Sequence, residues 1–90
     1  MKTVRRTSQF KKDVKRMQKR GMDFGGFKEI VKSLMNGQLV DAKYRDHPLT
    51  GQYKGSRECH IEPDWLLVYE AGEDEIVLVR MGSHSDLFKL

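Results

Sequence analysis

Three histidines, His47, His60 and His84, together with Asp64 are the residues whose types and spacing suit proton transfer. An imidazole titrates near neutral pH and both gives and takes protons there. Asp64 follows His60 by four residues, across Pro63. A tight turn at Pro63-Asp64 brings the two side chains to one end of a sheet. His84 reaches the same end if the tail folds back. Acid–base chemistry on RNA fits this set, because there the substrate supplies the nucleophile. A ribose 2′-hydroxyl attacks the adjacent phosphorus and expels the 5′-oxygen. The protein must then provide a base, an acid and cationic donors, each acid–base group contributing about 10²–10⁴-fold. Lys54, Arg57 and Arg80 are the nearby cations. Trp65, Tyr53 and Phe88 are available to stack bases, as RNA sites often require.

Other chemistries compete for the same residues. A nucleophilic Cys59–His60 pair is disfavoured, since adjacent strand residues point to opposite faces. Cys59 fits better as a small buried hydrophobe. Three histidines and Asp64 are legal zinc ligands. No HExxH and no paired-cysteine spacing supports that reading, and no Gly-rich phosphate loop occurs. Histidines with a merely structural role remain the plain alternative.

The elements that must position these groups read as α+β. Val4 and its neighbours suit a short first strand. Ser8 reads as a helix N-cap, followed by Phe10, Val14 and Met17 at helical spacing and stopped by Gly21. A second helix is expected from about Asp23 to Asn36, with Phe27, Ile30, Val31, Leu34 and Met35 on its apolar side. Residues 38–51 read as a loop. Strands are expected over Gln52–Ile61, Trp65–Ala71 and Glu75–Met81, joined by turns at 63–64 and 72–74. Pleat parity puts Lys54, Ser56, Glu58 and His60 on one face of the first of these. Tyr53, Cys59 and Ile61 lie on the other. The last two strands are almost continuously apolar, so both their faces should be covered. Residues 83–90 form a short tail. The expectation is two helices packed on one face of an antiparallel sheet of about four strands.

A chain of 90 residues fits one domain, residues 1–90. Its single cysteine suits a reducing, cytoplasmic setting, and no apolar run approaches a membrane span. The N-terminus is basic but lacks the apolar stretch of a secretory signal. Net charge is +4, yet residues 1–20 carry nine Lys/Arg against Asp13 alone, while residues 21–90 are net −4. Lys11, Lys12, Lys15, Arg16 and Lys19 cover the first helix. They form either a solvated face or a grip on a polyanion.

The order Asp46-His47-Pro48-Leu49-x-Gly51, Lys54-Gly55-x-Arg57, His60-x-x-Pro63-Asp64-x-Leu66-Leu67-x-Tyr69 and Gly82-x-His84-x-x-Leu87-Phe88 resembles the YafQ-type mRNA interferases of the RelE/ParE toxin superfamily. The likeness covers essentially the whole chain. It implies a RelE-like α+β domain with a curved sheet. It also implies ribosome-dependent cleavage of mRNA without metal or organic cofactor, and neutralisation by an antitoxin, usually of ribbon-helix-helix type. Functional positions of that family fall on His47, His60, Asp64, His84 and Phe88. His84 is the implied general acid. His60 and Asp64 activate the 2′-hydroxyl and stabilise charge, His47 contacts phosphate or assists proton transfer, and Phe88 positions a base. The basic helix then becomes a surface for ribosomal RNA. Lys89 and Leu90 extend past Phe88, a departure from the pattern. Two alternatives stand beside this. One is a gyrase-poisoning toxin on the same scaffold, a class that generally lacks this histidine set. The other is a non-catalytic RNA- or antitoxin-binding module.

Overall fold

The structure is a computed structural model that describes residues 1–88; Lys89 and Leu90, and with them the extended tail, lie outside the described residues. The chain runs β1 (Thr3–Arg6), α1 (Ser8–Lys19), α2 (Gly25–Met35), a 3₁₀ turn (Ala42–Tyr44), β2 (His47–Pro48), a second 3₁₀ turn (Gly51–Tyr53), β3 (Arg57–Glu62), β4 (Trp65–Ala71), β5 (Glu75–Gly82) and α3 (His84–Phe88). One five-stranded sheet has the order β1-β5-β4-β3-β2.

The expected α+β class holds, with one strand more than anticipated. The sheet is also mixed, because β1 pairs in parallel with β5 while the other pairs are antiparallel. The extra strand, β2, is only His47–Pro48, too short to show a pattern in sequence. The strand expected from Gln52 begins only at Arg57, since residues 51–53 close a 3₁₀ turn first. The helix cap also shifts by one residue. Thr7, not Ser8, holds the extended backbone of an N-cap, and its hydroxyl accepts the Phe10 N–H.

Alternation along β4 explains its continuous apolar run. Trp65, Leu67 and Tyr69 face α1 and α2, where Phe10, Met17, Ile30 and Leu34 meet them. Leu66 and Val68 face the other way and join Leu87 of α3, flanked by Leu49, Tyr53, Val79 and Phe88. On β5 an extra residue at Val79 breaks the register between Val68/Arg80 and Tyr69/Leu78. That bulge switches parity, so Ile76 and Leu78 before it and Met81 after it all reach the helix-side core. Each fully buried large side chain here contributes about 1.5–3 kcal/mol. The rear cluster serves a further purpose, because it pins the short helix α3 against the sheet. No helix among the described residues is long and apolar enough to cross a membrane.

Candidate active site

The pleat of β3 starts the site. Cys59 and Ile61 point into the helix-side core, which leaves Glu58 and His60 on the opposite face. β2 lays His47 directly opposite Glu58, so His47 joins that face. The turn after β3 presents Asp64, and the start of α3 presents His84. The His84 backbone N–H donates to Asp64 Oδ1 at 2.9 Å, and His84 Nδ1 lies 2.5 Å from the same oxygen.

The aromatic rings then form a row. The His47 and His60 centroids are 5.9 Å apart, His60 and His84 5.9 Å, and His84 and Phe88 6.5 Å. Tyr53 meets Phe88 edge-on at 5.7 Å and braces the end of the row. The four side chains singled out for acid–base chemistry thus converge from β2, β3, a turn and α3.

Electrostatics differentiates them. Burial pushes the His60 pKa down, the Glu58 carboxylate beside it pulls it up, and His47 and His84 add to the lowering. The net result is a depressed pKa, which keeps His60 neutral and able to take a proton. Glu58 is itself buried, with Oε1 3.6 Å from His60 Nε2. Asp64 is held below the usual carboxylate range by the His84 backbone N–H and then by the His84 ring. An ionised Asp64 favours the proton on Nδ1 of His84 and leaves Nε2 for exchange with substrate. Burial pushes the Cys59 thiol up to about 12, so it is inert as a nucleophile.

The cations and aromatics divide differently from the expectation. Trp65 is fully buried, edge-on to Phe24 at 5.0 Å, and is a core residue rather than a stacking platform. Its position is the first of a strand whose odd residues face the helices. Arg80 donates to Asp13 at 2.8 Å, and Arg57 to Asp46 at 2.7 Å. Both guanidinium groups are therefore committed to carboxylates. Arg57 and Tyr69 both bond Asp46, next to His47, and so tie down the segment carrying that imidazole. Lys54 is exposed in the loop before β3. On α1, Lys11, Lys12, Lys15 and Lys19 are exposed, whereas Arg16 turns inward to the Met81 carbonyl at 2.9 Å and to Asp13 at 3.0 Å. Arg16 is thus part of the scaffold.

Asp13 is the residue that charge counting passed over. It is 0% exposed and accepts from Arg80, from the Met81 N–H at 3.0 Å and from Gln9. Burial raises its pKa, but the Arg80 and Met81 hydrogen bonds outweigh this and hold it low. The available signal was its place on the apolar stripe of α1, between Phe10 and Met17. Asp86 is the second omission. It caps α3 through the Ser83 N–H and takes both Nη atoms of Arg20, at 2.7 and 3.0 Å.

Donor atoms of His47, Glu58 and His60 lie within 4.8 Å of one another. Two imidazoles and a carboxylate suit a borderline transition metal.

Comparison with known proteins agrees with the motif order. The family model described as "Bacterial toxin of type II toxin-antitoxin system, YafQ" matches residues 2–89. The mRNA interferase toxin YafQ of Escherichia coli K12 is 42% identical over 83 residues, covering 91% of this chain and 90% of the relative. A copper-bound mutant toxin from Helicobacter pylori superposes with a TM-score of 0.92 at 39% identity, covering 98% of this chain and 100% of that one. The toxin in an E. coli DinJ-YafQ complex superposes at 0.89 with 38% identity, covering 98% and 99%. Likeness along the whole chain and in the whole fold leaves one assignment: this protein belongs to the YafQ family of bacterial toxins of type II toxin–antitoxin systems.

Proposed function

We propose that this protein is an mRNA endoribonuclease that acts on ribosome-bound message by acid–base chemistry. The observation that carries the reading is the row His47–His60–His84, with Asp64 bonded to His84 at one end. His60, held neutral, accepts the 2′-hydroxyl proton. The 2′-oxygen forms its bond to phosphorus as the P–O5′ bond breaks. His84 returns a proton to the departing O5′ through Nε2, while Asp64 stabilises the ring in its charged form. The products are a 2′,3′-cyclic phosphate and a 5′-hydroxyl. His47, exposed beside His60, contacts the phosphoryl oxygens or substitutes in proton transfer. Phe88, braced by Tyr53, stacks on a base.

No step in this route needs a metal ion, because the nucleophile and both proton carriers are organic. A metal held by His47, Glu58 and His60 would compete for the imidazole of His60, the proposed base, while His84 stands outside that set. The relative named as copper-bound motivates testing for that competition.

The exposed lysines of α1 suit the phosphates of ribosomal RNA, and the antitoxin is proposed as an acidic partner that neutralises the toxin, by analogy with the DinJ-YafQ assembly. Inducible expression in growing bacteria, with transcript ends mapped for wild type and His84→Ala, tests the function. Breaks at set codon positions in wild type only are expected. Broken DNA with intact transcripts would overturn the reading in favour of a gyrase poison.

A further inference from the structure

Helix α3 carries His84 and Phe88 yet spans only five residues. A helix that short has no stability of its own, so contacts from elsewhere must hold it. Leu87 anchors its far end in the rear cluster, and Asp64 holds the His84 end. A further tether comes from the end of α1. Arg20 caps that helix and meets Asp86, 66 residues along the chain, with Nη1 2.7 Å from Oδ2 and Nη2 3.0 Å from Oδ1. Neither residue takes part in the proton transfers above. We propose that Arg20 and Asp86 are positioning residues of the active site, which latch the first turn of α3 to α1 and so aim the His84 ring at the scissile bond. The assignment rests on the ribonuclease reading.

The geometry of the pair fixes orientation as well as distance. Both Nη atoms of one guanidinium meet both oxygens of one carboxylate, a fork that a single-point contact cannot match. The Asp86 side chain is only 17% exposed. It also completes a capping box at the start of α3. Its Oδ2 accepts the Ser83 N–H at 2.9 Å, while the Ser83 hydroxyl accepts the Asp86 N–H at 3.1 Å. One aspartate thus ties the residue just before His84 to the helix that carries the exposed lysines.

Gly82 makes this close approach possible. A Cβ there would lie 2.7 Å from Arg16 Nη2 and 2.9 Å from Asp86 Cβ, so the chain entering α3 would have to shift. Arg16 Nε adds a longer contact to Asp86 at 3.6 Å. Hydrogen bonding from Arg20 holds the Asp86 carboxyl below the usual carboxylate range, against burial, which raises it. Asp86 is also the main cause of a raised Arg20 pKa, and the Asp64 charge adds to it. The guanidinium therefore lies within electrostatic reach of the aspartate that orients His84.

Single-turnover cleavage on message-programmed ribosomes, beside amide and imidazole NMR signals of the full-length protein, tests the latch. Asp86→Asn keeps the cap, because an amide oxygen still accepts the Ser83 N–H, but removes the ion pair. Arg20→Gln removes it from the other end. Each should lower the rate at saturating ribosomes about tenfold, with less than about a twofold change in the half-saturating concentration. Together they should cost no more than either alone, because both break one contact. Arg20→Lys, which keeps the charge but not the fork, should recover part of the loss. In a His84→Ala background neither substitution should lower the residual rate further. The His84 and Phe88 signals should shift in both single variants, while those of α2 and β1 stay in place. Wild-type rates in Asp86→Asn and Arg20→Gln, or losses that multiply in the double variant, would overturn the latch even where wild type cuts RNA. So would a loss confined to the half-saturating concentration, which marks a direct RNA contact at Arg20. Absence of RNA cutting by wild type would instead remove the ribonuclease reading itself, and unmoved His84 and Phe88 signals would remove the latch in either case.

Discussion

Asp64 Oδ1 accepts two hydrogen bonds from one residue, His84, through the backbone N–H at 2.9 Å and ring Nδ1 at 2.5 Å. The aspartate thereby fixes both where α3 begins and which way its first imidazole points. His84→Ala should lower mRNA cleavage at least ~100-fold while the protein still folds. Asp64→Asn, which keeps the shape but reverses the proton preference of one contact, should lose activity with a smaller change in thermal stability. Cleavage assays beside melting curves check both, and full activity in His84→Ala would remove it from the mechanism.

Glu58 and His60 share a face of β3, and the carboxylate counters the burial that depresses the imidazole pKa. As the base, His60 must be neutral, so activity falls as pH drops through its pKa. Glu58→Gln removes the group that holds this pKa up. The acidic limb of the pH–rate profile should therefore move to lower pH. A limb that stays in place, or moves up, contradicts the pairing.

The buried Asp13 joins α1 to β5 through Arg80 and the Met81 N–H. Asp13→Ala leaves Arg80 without its carboxylate and Arg16 with only the longer contact to Asp86 at 3.6 Å, and should cost roughly 2–4 kcal/mol, somewhat below the loss for a fully buried pair because both arginines reach water. Asp13 and Asp86 both titrate below the ordinary 3.8 in the fold. A depressed carboxyl contributes stability above its unfolded pKa, near 3.9, that is lost as pH falls through the folded value. Melting temperature should thus decline below about pH 4, and less steeply in Asp13→Ala.

Exposed Lys11, Lys15 and Lys19 and inward Arg16 should separate cleanly. Charge reversal at the three lysines should weaken ribosome association and flatten its salt dependence, with little effect on melting. Arg16→Ala should instead destabilise the fold. Equal melting losses in both variants would merge the two roles.

Chelator-treated protein should retain its cleavage activity. Added copper(II) should suppress activity through the donor atoms of His47, Glu58 and His60, and chelator should restore it. Activity lost on chelation and regained with a divalent ion would overturn the metal-free route.

Much of this was legible in the sequence. The helical spacing of Phe10, Val14 and Met17 pointed to a helix and its buried side, and the almost continuous apolar runs at 65–71 and 75–81, each bounded by a turn, pointed to two strands covered on both faces. The order of motif residues placed His47, His60, Asp64 and His84 in one family pattern. Tertiary structure alone decided the rest. Arg80, Arg57 and Arg16 looked like free cations, but which carboxylate a long side chain meets depends on partners up to 70 residues away. Trp65 sat in a motif yet fell on the core face, through strand parity set by the turn before it. β2 exists only because β3 offers His47 and Pro48 an edge to pair with, a long-range hydrogen bond that two residues cannot announce. Sequence names the groups able to carry protons; only packing fixes which of them meet and which are held by one another.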